Sequence, residues 1–185
     1  VYEHAVAGKA EQEACGELDE VNVRSGGECV DTRLLAAGQG SNPWFQECSD
    51  KACADGEILS FDTDLIGPFG YCADLSRSWA IGHRRLSPKQ RELYAVALSQ
   101  IEHNLALLRP GITLAEFNEK SWQIPPQCQA RPYSAALHGD GMADVWPSVP
   151  TTLEFAPARL GPLEQNMCIS VDNPTADSAG GEFTK

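Results

Sequence analysis

The sequence predicts an α+β domain, and three observations carry that expectation. Helical and strand-forming stretches are segregated along the chain in the order helix, strands, helices, strands, not alternated as in a βαβ array. The chain's 185 residues are enough for one domain with a real core and too few for two ordinary ones. Residues 60–79, SFDTDLIGPFGYCADLSRSW, read as two strands folded on a Gly-Pro turn, and they carry three aspartates.

The elements follow in order. Residues 3–24 have the spacing of an amphipathic helix, with Ala10, Ala14, Leu18 and Val21 on one face and Gly26-Gly27 ending it. Val30 to Ala37 reads as a short helix or turn, and residues 38–44 as loop. Glu57 to Ile66 and Tyr71 to Ile81 read as paired strands. Ser87-Pro88 starts a helix whose buried face takes Leu93, Ala97, Ile101, Leu105 and Leu108, and Pro110-Gly111 stops it. Thr113 with Glu116 forms a capping box for a helix running to about Trp122. Residues 124–132 are irregular. Tyr133 to His138 is a short strand, residues 139–165 are loop-rich, and Met167 to Asp172 is another strand.

Composition excludes several classes. A formal charge of −12 leaves little to neutralise nucleic-acid phosphates or to hold an anionic membrane surface. No apolar run approaches the length of a membrane span, and the N-terminal stretch lacks the basic and apolar regions of a signal peptide. Seven scattered cysteines without a C-x-x-C argue against a disulfide framework or zinc ribbon and fit free thiols in a cytoplasmic protein. The opening lacks an initiator Met and reads as if the chain were entered part-way along a helix.

The three aspartates decide the chemistry. Side chains alternate along a strand, so Asp62 and Asp64 project to one face. A three-residue loop, Pro68-Phe69-Gly70, would put Asp74 opposite Asp64 on that same face, whereas a two-residue loop would send it to the other. Converged carboxylates repel unless one is protonated or a cation sits between them. On the residues alone two readings stay open: a solvated acidic strand face, or ligands for hard divalent ions that share carboxylates. His138, at the end of a short strand before Gly-Asp-Gly, is either a hydrogen-bonded loop histidine or a further ligand.

The segment D-T-D-L-I-G-P-F-G-Y-C-A-D-L-S-R-S-W resembles the metal-binding hairpin of the pita-bread metalloenzymes, the family of methionine aminopeptidase, prolidase and creatinase. The resemblance covers nearly the whole chain. It is nearest to the subgroup of dimethylsulfoniopropionate (DMSP) lyases, through Asn42 to Cys48, the extra acid in S-F-D-T-D-L, and the block Leu137 to Pro147. It implies a pita-bread catalytic domain over residues 1–185, with a curved antiparallel sheet flanked by helices. It also implies two divalent ions held by Asp62, Asp64, Asp74, His138 and Asp172: iron or zinc in a lyase, manganese or cobalt in a peptidase. At Asp172 the family carries Glu, so a ligand oxygen lies about 1.5 Å nearer the backbone, large against a ligand tolerance of ~0.2 Å. The family's last ligand, a Glu on a strand after Gly180-Gly181, falls beyond Lys185, so the domain is expected to be incomplete.

The same resemblance implies roles for two more residues. Asp144 takes the place of the base that removes a proton beside the substrate carboxylate, releasing dimethyl sulfide and leaving acrylate. Tyr133 takes the place of a tyrosine that helps to hold the substrate, and the aromatic Trp146 lies beside the block. On the residues alone Asp144 could equally cap a turn, and Tyr133 and Trp146 could be core aromatics. Three functions are therefore carried forward. The first is a DMSP lyase, acting on a small molecule and a homodimer in its full-length form. The second is an Xaa-Pro-type metallopeptidase acting on short peptides. The third is a non-catalytic member of the family.

Overall fold

The computed structural model describes residues 3, 5–41, 46–83, 85–123, 135–150, 161–172, 174–177 and 180–183. Three helices are described: α1 (Glu11–Arg24), α2 (Pro88–Leu107) and α3 (Leu114–Lys120). The strands are β1 (Cys29–Val30), β2 (Leu35–Ala37), β3 (Ile58–Phe61), β4 (Leu65–Ile66), β5 (Cys72–Ala73), β6 (Arg77–Ala80), β7 (Ala135–Gly139), β8 (Ser148–Pro150), β9 (Ile169–Ser170), β10 (Pro174–Asp177) and β11 (Gly180–Phe183). Among the described residues they form small antiparallel sheets, ordered β1-β4-β5, β2-β3-β6, β8-β7-β9 and β10-β11. The α+β expectation holds.

The helices α2 and α3 start where their caps require. Ser87 Oγ accepts from the Gln90 N–H at 3.1 Å while the Gln90 side chain accepts from the Ser87 N–H at 2.8 Å, with Pro88 at the first helical position. Thr113 and Glu116 repeat the device for α3. The helix at the N-terminus is shorter than expected, starting at Glu11. Its buried face is Glu11, Ala14, Cys15 and Asn22, while Val21 is 49% exposed. Glu11 can be buried because its carboxylate accepts from the Ala37 N–H (2.8 Å), the Ser49 N–H (3.1 Å) and Ser49 Oγ (2.6 Å). On α2, Gln100 and Asn104 take buried positions beside Leu93, Ala97 and Ile101, and Leu105 faces outward. Asn104 Oδ1 accepts from the Trp122 N–H at 2.9 Å, which explains a polar residue there.

Two apolar cores result among the described residues. One gathers Ala14, Cys15, Leu35, Ala37, Leu59, Phe61 and Ile81 under α1, with Trp79 edge-on to Phe61 at a centroid distance of 5.3 Å. The other gathers Ile112, Leu114, Phe117, Leu137, Val149 and Val171 between α3 and the β7 sheet. Residues 30–37 are strand and turn where the sequence predicted a short helix or turn. Leu35, Ala36 and Ala37 pair with Phe61, Ser60 and Leu59, and all three are buried. Pairing and burial override local propensity there.

The expected hairpin exists, interrupted at its acids. One register runs its length: Ile58 pairs with Ala80, Phe61 with Arg77, Leu65 with Ala73 and Ile66 with Cys72. The Gly67 N–H donates to the Tyr71 carbonyl at 2.8 Å, so the loop is Pro68–Gly70, with Phe69 at φ 65° and Gly70 at φ 73° both left-handed. The same register sets Asp64 across from Asp74. On the other side, Val30 pairs with Leu65 and Leu35 with Phe61. Four residues, Asp31 to Leu34, therefore face three, Asp62 to Asp64. This bulge breaks one long strand into β3 and β4 and turns the aspartates out of the ladder.

Candidate metal centre

Carboxylate oxygens of Asp62, Asp64 and Asp74 lie within 4.8 Å of one another. Asp62 and Asp64 are buried, and the Asp74 side chain is 1% exposed. Such packing of like charges out of water is costly unless a cation or proton joins them. Neighbouring donors hold the cluster in shape. Thr32 Oγ1 donates to Asp64 Oδ2, the Asp31 N–H donates to the Asp64 carbonyl at 2.8 Å, and the Asp62 N–H donates to the Leu34 carbonyl at 2.8 Å.

Two further donors come from the β7 sheet. His138 pairs across from Ser148 on β8 and Ser170 on β9 and is completely buried. Its Nε2 lies 3.1 Å from Asp74 Oδ2 and 3.1 Å from Asp172 Oδ2. Its Nδ1 faces two carbonyls, Gly139 at 3.0 Å and Asp144 at 3.1 Å. Carbonyls only accept, so Nδ1 carries the proton and Nε2 is the nitrogen turned to the carboxylates. Burial disfavours the imidazolium, but hydrogen bonds to Asp172 and Asp74 outweigh it and push the ring up to about 11. A proton and a divalent ion are alternative occupants of that nitrogen. Several carboxylates with one oriented imidazole are a donor set that fits Mn, Fe, Co or Zn.

Asp172, just past β9, bonds across to β7, its N–H donating to the Ala136 carbonyl at 3.3 Å. Its shorter side chain still reaches His138, and it is completely buried. Asp144 lies on the loop after β7. Burial pushes its carboxyl up to about 6, with the charges of Asp64 and Asp74 adding to the effect. Its Oδ1 is buried and has no hydrogen-bond partner among the described residues. Gly139 is required by close packing, because a Cβ there would lie 2.4 Å from the Trp146 carbonyl oxygen. Trp146 is 66% exposed, so it is not a core aromatic. Tyr133 lies outside the described residues.

Two polar residues beside the cluster were not legible as partners in the sequence. Thr63, between the two acids, turns its hydroxyl to the opposite strand, accepting from the Leu75 N–H (2.9 Å) and donating to the Leu75 carbonyl (3.0 Å). Asp140 Oδ2 accepts from the Asp74 N–H at 3.2 Å. Neither has a spacing signal, since each contact depends on how separate segments meet. A cavity of about 660 Å³ is lined by Phe61, Thr63, Leu65, Leu75, Arg77 and Trp79 among others. Asp74 and Asp140 also line it, so the cavity borders the donor cluster.

Comparison with known proteins gives the chain's family and fold. The sequence pattern of metallopeptidase family M24 matches residues 1–180. Two curated relatives are each named dimethylsulfoniopropionate lyase DddP. The one from Roseovarius nubinhibens is 40% identical over 178 residues, covering 95% of this chain and 39% of the relative. The one from Roseobacter denitrificans is 40% identical over 170 residues, covering 90% and 37%. The chain thus spans about two fifths of the length of these relatives. Among solved structures, dipeptidase PepE from Mycobacterium ulcerans superposes with a TM-score of 0.79 at 22% identity, covering 98% of this chain and 48% of that one. Prolidase from Pyrococcus furiosus does so at 0.78 and 21% identity, covering 97% and 52%. At that identity these two speak for the fold alone.

Proposed function

Because this chain belongs to metallopeptidase family M24, a metal-dependent family, we propose that Asp62, Asp64, Asp74, His138 and Asp172 hold two divalent ions in a DMSP lyase. Iron or zinc is the expected metal. The observation that carries the reading is Asp144: a carboxylate pushed up to about 6, one oxygen buried and unbonded, beside Asp64 and Asp74. A base with such a value is largely ionised at neutral pH yet still basic enough to hold a proton. The 40% identity to proteins named DMSP lyases over 95% of the chain supports the choice of substrate.

Bound at these donors, the ions would polarise the substrate carboxylate and make the adjacent C–H more acidic. The residues of the chain supply the rest. Asp144 accepts the proton from the carbon next to the carboxylate. The C–H electron pair becomes the carbon–carbon double bond of acrylate, the C–S bond breaks, and dimethyl sulfide leaves with its electron pair. His138, held by the Gly139 and Asp144 carbonyls, keeps Nε2 directed at the centre and ties it to the loop that carries the base.

The test is headspace measurement of dimethyl sulfide from DMSP, run beside hydrolysis of a proline-containing dipeptide. Wild type is expected to release dimethyl sulfide, and Asp144→Asn to lose at least about 100-fold of that rate while keeping its metal, the scale of a general base. Dipeptide hydrolysis without dimethyl sulfide would select the Xaa-Pro peptidase reading, which the prolidase-like fold keeps in view.

A further inference from the structure

The donors come from two parts of the chain, and something must hold those parts in register. Asp62, Asp64 and Asp74 sit on the hairpin, while His138 sits on β7, with its own core against α3. Three contacts from the loop and strand around His138 bear on this. The Cys72 N–H, two residues before Asp74, donates to the Gly141 carbonyl at 2.6 Å. The Asp74 N–H itself donates to Asp140 Oδ2 at 3.2 Å. The Asp140 N–H in turn donates to the Cys168 carbonyl at 3.1 Å, just before β9.

We infer that Asp140 is a positioning residue for the metal centre: its carboxylate holds the Asp74 backbone against the loop that follows His138, and so fixes the reach of the Asp74 carboxylate to His138 Nε2. The inference rests on the metal-centre reading above and adds a residue to it. The physical argument is one of geometry. Asp140 is two residues from His138, and its side chain bonds the main chain of a second donor, so the hydrogen bond joins the two donor-bearing segments directly. Without it, Asp74 would be free to draw away from Asp64 and His138, and ion binding would have to bring it back. Outer contacts that orient ligands are worth about 10–100-fold in metal affinity.

The contact needs an acceptor oxygen at the right distance and does not need charge. Asp140→Asn, which keeps a side-chain oxygen there, should retain Mn²⁺ affinity within about threefold, while Asp140→Ala should weaken it about 10-fold or more. Both are read by calorimetric titration of the full 185-residue chain with Mn²⁺, with thermal melting alongside. Asp64→Ala serves as the control that removes a donor. If wild type binds Mn²⁺, Asp64→Ala does not, and Asp140→Ala binds like wild type, the positioning role is overturned and the metal centre stands. Equal losses in Asn and Ala would also overturn it, because charge and not the hydrogen bond would then be the cause. Absence of Mn²⁺ binding by wild type would overturn both readings. Should Asp140→Ala not fold, Asp140→Glu carries the test. It keeps the charge but moves the oxygen by about 1.5 Å, so it should lose affinity where Asn does not, and affinity equal to or above that of Asn would overturn the role.

Discussion

Thr63 stands in for the β-ladder opposite Leu75. Its hydroxyl accepts from the Leu75 N–H at 2.9 Å and donates to the Leu75 carbonyl at 3.0 Å, so one side chain satisfies both backbone groups where the hairpin opens. That substitution lets the chain separate around Asp62, Asp64 and Asp74 without leaving main-chain groups unpaired.

The first prediction follows from that bracket. Thr63→Val keeps the shape and removes both hydrogen bonds at a site 4% exposed. It should cost roughly 1–3 kcal/mol of stability, while Thr63→Ser, which keeps the hydroxyl, should cost less. Urea unfolding of the three proteins at one pH measures this. A Val variant as stable as wild type would mean that water replaces the hydroxyl at no cost.

Asp172 offers a second. The resembled family carries Glu here, one methylene longer than Asp172. The Asp172 side chain is 0% exposed and its Oδ2 is already 3.1 Å from His138 Nε2, so another methylene along that direction would press the carboxylate into the imidazole. Asp172→Glu should therefore destabilise the protein by roughly 1–3 kcal/mol, the usual cost of overpacking. Thermal melting of the metal-free protein reads this directly, and a rise in Tm would show that the surroundings accommodate the longer acid.

A third concerns pH. Burial, followed by the hydrogen bond with Cys48, pushes the Cys15 thiol from an ordinary value of 9.0 up to about 12. The raised value means that the folded state holds the proton more tightly than the unfolded chain does. The resulting stability is fully present below pH about 9 and is lost as pH rises through about 12. The stability difference between wild type and Cys15→Ala should be constant up to pH about 9 and should then shift against wild type. At pH 8, iodoacetamide should label the exposed Cys29 and Cys168 and spare Cys15, as peptide mass spectrometry would read.

Much of the site was readable because strand geometry is strict. Alternation put Asp62 and Asp64 on one face, and the Pro68-Phe69-Gly70 loop set Asp74 across from Asp64. The helix starts at Ser87 and Thr113 were equally plain, because caps are local chemistry. Misreadings fell where long-range pairing outweighs local pattern. Leu35 to Ala37 read as part of a short helix or turn until Leu59 to Phe61 lie beside them. Val21 looks like part of a buried face until a carboxylate, Glu11, finds three donors on other segments and takes the inward side, leaving Val21 49% exposed.

By itself, then, the sequence determined the α+β class, the hairpin and the pair of acids, Asp62 and Asp64, that alternation sends to one face, while the hairpin's register was left between two loop lengths. Each of these depends on residues close in the chain or on a period of two. Only the tertiary structure decided that His138 would present Nε2 to Asp74 and Asp172, with Nδ1 spent on two carbonyls. It alone decided that Asp140 would meet the Asp74 backbone 66 residues away, and that a one-residue bulge against Asp31 to Leu34 would turn the aspartates out of the sheet. Those features depend on how distant segments dock, where a hydrogen bond is set by the meeting of two cores and leaves no mark in local spacing.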